Sequence, residues 1–167
     1  MSYHIYTTKG ITLSYRPWRE ADRIYFILTR DLGLIRATAL GVRKETSKLR
    51  GSLEPIMLAT VSLVRGKEYW RITSTESVKK IEPKPEILKP LALLEKLVQG
   101  EAVHPELFDV VEKFLISTSG GEDFETNFVA HILQPLGYLK ESDLALPPKE
   151  LIKAINLGLQ ASHLTDK

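Results

Sequence analysis

Glu82-Pro83-Lys84-Pro85 divides the chain into two stretches with different hydrophobic periods. Before it, apolar residues alternate with polar ones. After it, they recur every three or four positions. A period of two belongs to a half-buried strand, and a period near 3.6 to an amphipathic helix. The two prolines favour an extended linker, because neither can continue a central strand. The chain therefore reads as a β domain over residues 1–80 and a helical domain over residues 81–167.

Five runs carry the strand period. In Gly10–Arg16, Ile11, Leu13 and Tyr15 alternate with Thr12, Ser14 and Arg16. In Arg23–Thr29, Ile24, Phe26 and Leu28 share a face, the expected apolar one. Leu34–Leu40 lies between Gly33 and Gly41. In Met57–Arg65, Met57, Ala59, Val61 and Leu63 share a side. In Tyr69–Thr75, Trp70 and Ile72 turn to the core, while Tyr69, Arg71 and Thr73 turn away. Arg65-Gly66-Lys67-Glu68 is a hairpin turn between the last two runs. Five short strands without a helical pattern among them imply a small barrel or sandwich; with a basic face the five-stranded OB (oligonucleotide-binding) barrel is the expected fold, and an SH3-like barrel is the competing pattern.

The second stretch holds four helical patterns. Ile87, Leu91, Leu94 and Val98 form the first, with Pro90 as its expected start. Pro105 opens the second, which carries Leu107, Phe108, Val111, Phe114 and Leu115. The third has Phe124, Phe128, Val129, Ile132 and Leu133. The fourth follows Pro147-Pro148 with Leu151, Ile152, Ile155 and Leu159. Together they imply a small all-α domain.

Charge separates the halves as sharply as period does. Residues 1–80 hold 15 Lys and Arg against 7 Asp and Glu, a net of +8; residues 81–167 hold 8 against 14, a net of −6. All nine arginines end at Arg71. A basic half joined to an acidic one points to nucleic acid as the partner of the first.

Two segments concentrate that charge. The glycine-bounded stretch Gly41–Gly51 contains Arg43, Lys44, Lys48 and Arg50 against Glu45 alone. Several cations on a rim loop between strands suit a phosphate backbone. Tyr15–Arg23 interleaves Arg16, Arg19 and Arg23 with Trp18, and Arg71 and Tyr69 join it from the last strand. Bases stack on aromatic faces and guanidinium planes while cations hold the backbone. An ordinary solvated loop, and a Trp18 that merely covers the barrel end with Asp22 paired to Arg19 or Arg23, are the alternatives.

The sequence offers no catalytic signature. It contains no phosphate-binding loop, no G-x-G-x-x-G and no nucleophile elbow. With no cysteine, thiolate zinc sites and cysteine nucleophiles are excluded. The four histidines fall at no metal-ligand spacing. Glu122, Asp123 and Glu125 near His131 read more simply as an acid-rich helix start. No cofactor is expected. The N-terminus shows no signal-peptide pattern, and no apolar run is long enough to span a bilayer, so the expected location is cytoplasmic.

With these residues in view, the chain resembles the RecO family of bacterial recombination mediators. Lys9-Gly10-Ile11-Thr12-Leu13 looks like the family's opening strand. Glu20-Ala21-Asp22-Arg23-Ile24, with Phe26 and Leu28-Thr29, looks like its G-E-x-D-R-I-x-x-L-x-T block. Gly33-Leu34-Ile35-Arg36-Ala37 and Gly41-Val42-Arg43-Lys44, then Ser47-Lys48 and Leu53-Glu54-Pro55, look like the block after it. Phe108 to Leu115, and Phe124-Glu125 through Leu136-Gly137-Tyr138, look like its helical core.

The resemblance implies an OB domain followed by a helical one, and a protein that is not an enzyme and uses no nucleotide. It implies binding of single- and double-stranded DNA, annealing of complementary strands, and cooperation with RecR so that RecA replaces single-strand-binding protein, all at the nucleoid. The chain departs from the pattern in three places. Leu40 stands where a lysine is usual. No cysteine zinc finger follows Leu136-Gly137-Tyr138, so the resemblance is to a short form without it. The acidic second half is an unfavourable field for the acidic tail of single-strand-binding protein. Two other readings stay open: a generic basic OB module for RNA or DNA, and a protein-interaction adaptor without mediator activity.

Overall fold

The computed structural model describes residues 3–98, 100–117 and 120–162. It divides into two compact units, Met1–Glu82 with Gln99–Val103, and Pro83–Val98 with His104–Lys167.

The first unit is a closed five-stranded barrel built from β1 (Ile5–Pro17), β2 (Arg23–Thr29), β3 (Gly33–Ala39), β4 (Met57–Arg65) and β5 (Trp70–Lys80). Around the barrel the order is β1-β2-β3-β5-β4. The β3–β5 pairing is parallel, and every other pairing is antiparallel. This is the OB architecture. The long β1 bridges β2 and β4, and an irregularity between Thr12 and Ser14 bends it as it passes between them.

The barrel interior is filled by Tyr25, Ile27, Ile35, Ala37, Ala39, Ala59, Val61, Leu63, Trp70 and Ile72. On β2 this reverses the expected apolar face. Tyr25 and Ile27 point inward, while Ile24, Phe26 and Leu28 share the outer face. The run Ile24–Leu28 is apolar throughout, so alternation could not choose a side. Ile24 and Leu28 are buried even so, which an outward position in an ordinary barrel would not require.

One short return belongs with the barrel. Glu101 accepts two hydrogen bonds from Arg65 Nη1, at 2.7 and 2.6 Å, and one from the Trp70 indole at 2.9 Å. Ala102 packs so tightly on Gly33 that a Cβ there would lie 2.5 Å from its carbonyl oxygen. Gly33 also has φ of 75°, a conformation that favours glycine.

The second unit comprises α1 (Pro85–Leu97), α2 (Pro105–Ile116), α3 (Phe124–Leu133) and α4 (Pro148–Ala161). Three of the four begin at a proline, which lacks the N–H that a first turn leaves unpaired. Helix α1 starts at Pro85 rather than Pro90, which is buried inside the helix. The start at Pro85 turns the end of the expected linker into the first helical residue. α3 packs against the other three helices. Its Phe128, Ala130, Ile132 and Leu133 are fully buried. Among the described residues no helix is long and apolar enough to cross a membrane.

Candidate nucleic-acid interface

The outer face of β2, β3 and β5 gathers cations and rings. Phe26 of β2 is the pairing partner of Arg36 on β3, so both point outward side by side. Arg16, outward on β1 beside Ile24, places its guanidinium 5.3 Å from the Phe26 ring centre. Arg36 lies 5.7 Å from the Tyr69 ring, and Tyr69 meets Trp18 edge to face at 5.4 Å. Arg71, exposed and paired with Thr38, shares the face because alternate residues of a strand project to one side. The result is a connected series of cations and rings, Arg16, Phe26, Arg36, Tyr69 and Trp18.

The series occupies a telling position. Trp18 sits in the β1–β2 loop and Tyr69 in the β4–β5 loop, the two loops that flank the oligonucleotide face of an OB barrel. Trp18 is 42% exposed, large for a tryptophan with no solvent-facing duty. Rings that border guanidinium planes supply both stacking surface and charge.

The basic loop stands beside this face, with both ends secured. At its start Gly41 takes φ of 66°, and Val42 inserts fully into the barrel core. Leu49 packs on that core and Leu53 is buried in it. At its end Ile56 holds φ of 62°, a strained position for a β-branched residue. Ile56 N–H donates to Thr12 O at 2.8 Å, and its carbonyl accepts from Ile81 N–H at 3.3 Å. Between these anchors Arg43, Lys44, Lys48 and Arg50 are all exposed.

The sequence-derived residues thus fall into two groups and two single positions. Trp18, Tyr69, Arg16 and Arg71 share the outer face, and Arg43, Lys44, Lys48 and Arg50 share the loop. Arg19 is exposed in the turn that carries Trp18. Arg23 goes elsewhere: its guanidinium lies 4.1 Å over the Tyr15 ring and hydrogen-bonds Tyr25. Burial raises the Tyr25 phenol above its ordinary value, and Arg23 opposes that rise. Arg23 therefore closes the barrel end.

Sequence reasoning missed Arg36 and Phe26. The pairing of β2 with β3 brings them together, and the wrong apolar face on β2 hid Phe26. Asp22 does not follow the alternative reading of this segment. Its carboxylate accepts the Gly41 N–H at 2.7 Å instead of pairing with Arg19 or Arg23.

In the helical unit a pocket of about 530 Å³ is bounded by Phe114, Phe124, Asn127 and His131, with Glu122 and Asp123 at its edge. His131 Nδ1 is 2.7 Å from Asn127 O, and its ring leans on Phe114 at 5.1 Å. Among the described residues no group of three or more His, Asp or Glu side chains is placed to hold a metal ion.

The barrel and its outer face define the class: an OB-fold protein with a basic, ring-bearing surface. Residues 1–81 match the family described as "Recombination protein O N terminal". A DNA repair protein RecO of Synechococcus is 43% identical over 81 residues, covering 48% of this chain and 28% of that protein. The RecO of a Dehalococcoides mccartyi strain is 31% identical over 148 residues, 83% of this chain and 58% of its own. That of Heliobacterium modesticaldum is 28% identical over 162 residues, 92% of this chain and 59% of its own. The chain belongs to the RecO family, and it spans less than two thirds of the length of each of these relatives.

Proposed function

We propose that this chain acts in DNA repair by holding single-stranded DNA on the barrel and promoting its annealing to a complementary strand. The observation that carries the reading is the connected series of cations and rings, Arg16, Phe26, Arg36, Tyr69 and Trp18, which ends in the two ligand-flanking loops. Stacking and charge hold a strand while its base edges stay free to pair. The cations of Gly41–Gly51 add phosphate contacts and reduce the repulsion between two polyanions. The names of the relatives support the repair setting. RecR as partner and RecA loading as outcome belong to the proposal as implications of the family resemblance. Division into an OB DNA-binding domain and a helical domain is part of the proposal.

The test is annealing of two labelled complementary oligonucleotides, followed by fluorescence quenching, without ATP and without a metal ion. Annealing should accelerate with protein and slow again as salt rises. An uncatalysed rate at concentrations that bind both strands would leave only a binding module. Tighter binding to RNA than to DNA of equal sequence would reassign the substrate.

A further inference from the structure

Two loops of the proposed interface, the Trp18 turn and the basic loop, meet at one residue that touches both. The β1–β2 turn that presents Trp18 closes through Asp22: Trp18 N–H donates to Asp22 O at 3.1 Å, and Asp22 N–H donates to Arg19 O at 3.2 Å. The same residue's side chain reaches 19 positions ahead, where Oδ1 accepts the Gly41 N–H at 2.7 Å. A second bond runs alongside, from Arg43 N–H to Ala21 O at 3.0 Å. Lys44 N–H then donates to Gly41 O at 3.0 Å, so the first turn of the basic loop is built upon the residue that Asp22 holds.

We infer that Asp22 is a positioning residue that locks the Trp18 turn and the root of the Arg43–Arg50 loop into one jaw. Its carboxylate contacts backbone, and its proposed effect on nucleic acid runs entirely through the two loops. An anion at the edge of a cationic surface would by charge alone weaken binding of a polyanion. Its presence there is accounted for by the bond it makes. A short bond between a carboxylate and a backbone N–H is stronger than a neutral one, and it fixes the left-handed Gly41 from which the loop departs.

This inference rests on the nucleic-acid-binding reading, and the two fail differently. Asp22→Asn removes the charge and keeps a side-chain oxygen for Gly41. Asp22→Glu keeps the charge and displaces that oxygen. Asp22→Ala removes both. Binding of a fluorescent single-stranded oligonucleotide at moderate salt should stay within about twofold of wild type, or tighten, for Asp22→Asn. It should weaken roughly three- to tenfold for Asp22→Ala and Asp22→Glu, because the acceptor is absent or misplaced. The Gly41 amide, followed by NMR hydrogen exchange, should be protected in wild type and Asp22→Asn and unprotected in the other two. If Asp22→Ala does not fold, the pair of Asn and Glu variants decides alone. Tighter binding for Asp22→Ala together with wild-type behaviour of Asp22→Glu would show charge alone at work and overturn the positioning role. Failure of the wild-type protein to bind would overturn the binding reading, and this inference with it.

Discussion

The helical unit and the outer face of the barrel use aromatic residues in different ways. In the helical unit Phe114 stacks on Phe128 at 4.8 Å and meets Phe124 at 5.6 Å, so the rings satisfy one another. On the barrel surface Phe26 and Tyr69 lie against Arg16 and Arg36, and Trp18 touches Tyr69 by its edge while staying 42% exposed. Rings that stack on rings build a core. Rings that share a wet face with guanidinium groups are available to a ligand that carries both bases and phosphates. Net charge follows the same division, +6 for the barrel unit, which includes Glu82 and Glu101, and −4 for the helical unit.

The comparison breaks most visibly at Phe128, which is fully buried. Phe128→Ala should cost the helical unit about 3–5 kcal/mol, as for other buried aromatic truncations. Both tryptophans, Trp18 and Trp70, lie in the barrel, so their fluorescence reports one unit and helical circular dichroism the other. The helical signal should melt earlier while the tryptophan transition and oligonucleotide affinity stay close to wild type. Coincident shifts in both signals would show that the units fold as one.

A smaller effect is expected from charge. Changing Arg43, Lys44, Lys48 and Arg50 together to alanine should weaken single-strand binding roughly tenfold or more at moderate salt. The slope of log affinity against log salt should flatten by about 0.7 for each phosphate that is no longer neutralised. Removing four cations of the helical unit, Lys89, Lys96, Lys113 and Lys153, makes the matched control and should change affinity less than about twofold. Equal losses in both variants would erase the distinction between the units.

The smallest effect, and the most specific, belongs to Trp18. Trp18→Ala should weaken single-strand binding by about 1 kcal/mol, the low end for one stacked base. The salt slope should stay unchanged, because no cation is removed. Binding to duplex should change less than binding to a single strand, since paired bases offer no free face. A salt slope that falls with Trp18 would mean that the ring only supports neighbouring cations.

Much of the fold was legible in the order of residues. Strands β2, β3 and β4 lie within a residue of the runs read from alternation, and helices α2 and α4 open at the prolines marked for them. The ends of β1 and β5 were not legible. Ile5–Lys9 and Glu76–Lys80 are largely exposed and lack apolar alternation, so their strand character comes from pairing with β4. Pro90 misled because a proline inside a helix usually marks a start or a break. The cations and rings of the proposed interface were mostly visible as clusters, whereas Arg36 and Phe26 looked like ordinary strand residues.

The sequence by itself determined what depends on neighbours along the chain. Period set strand against helix on either side of Pro83, and composition put every arginine in the first half. Only the tertiary structure decided what depends on neighbours across the barrel. It turned Tyr25 and Ile27 inward, set Phe26 against Arg36, brought Tyr69 to Trp18 across 51 positions, and gave the Asp22 carboxylate to Gly41 instead of to an arginine. The reason is that register fixes which residues face each other across strands. A continuous apolar run such as Ile24–Leu28 carries no register of its own, so closure of the barrel supplies it.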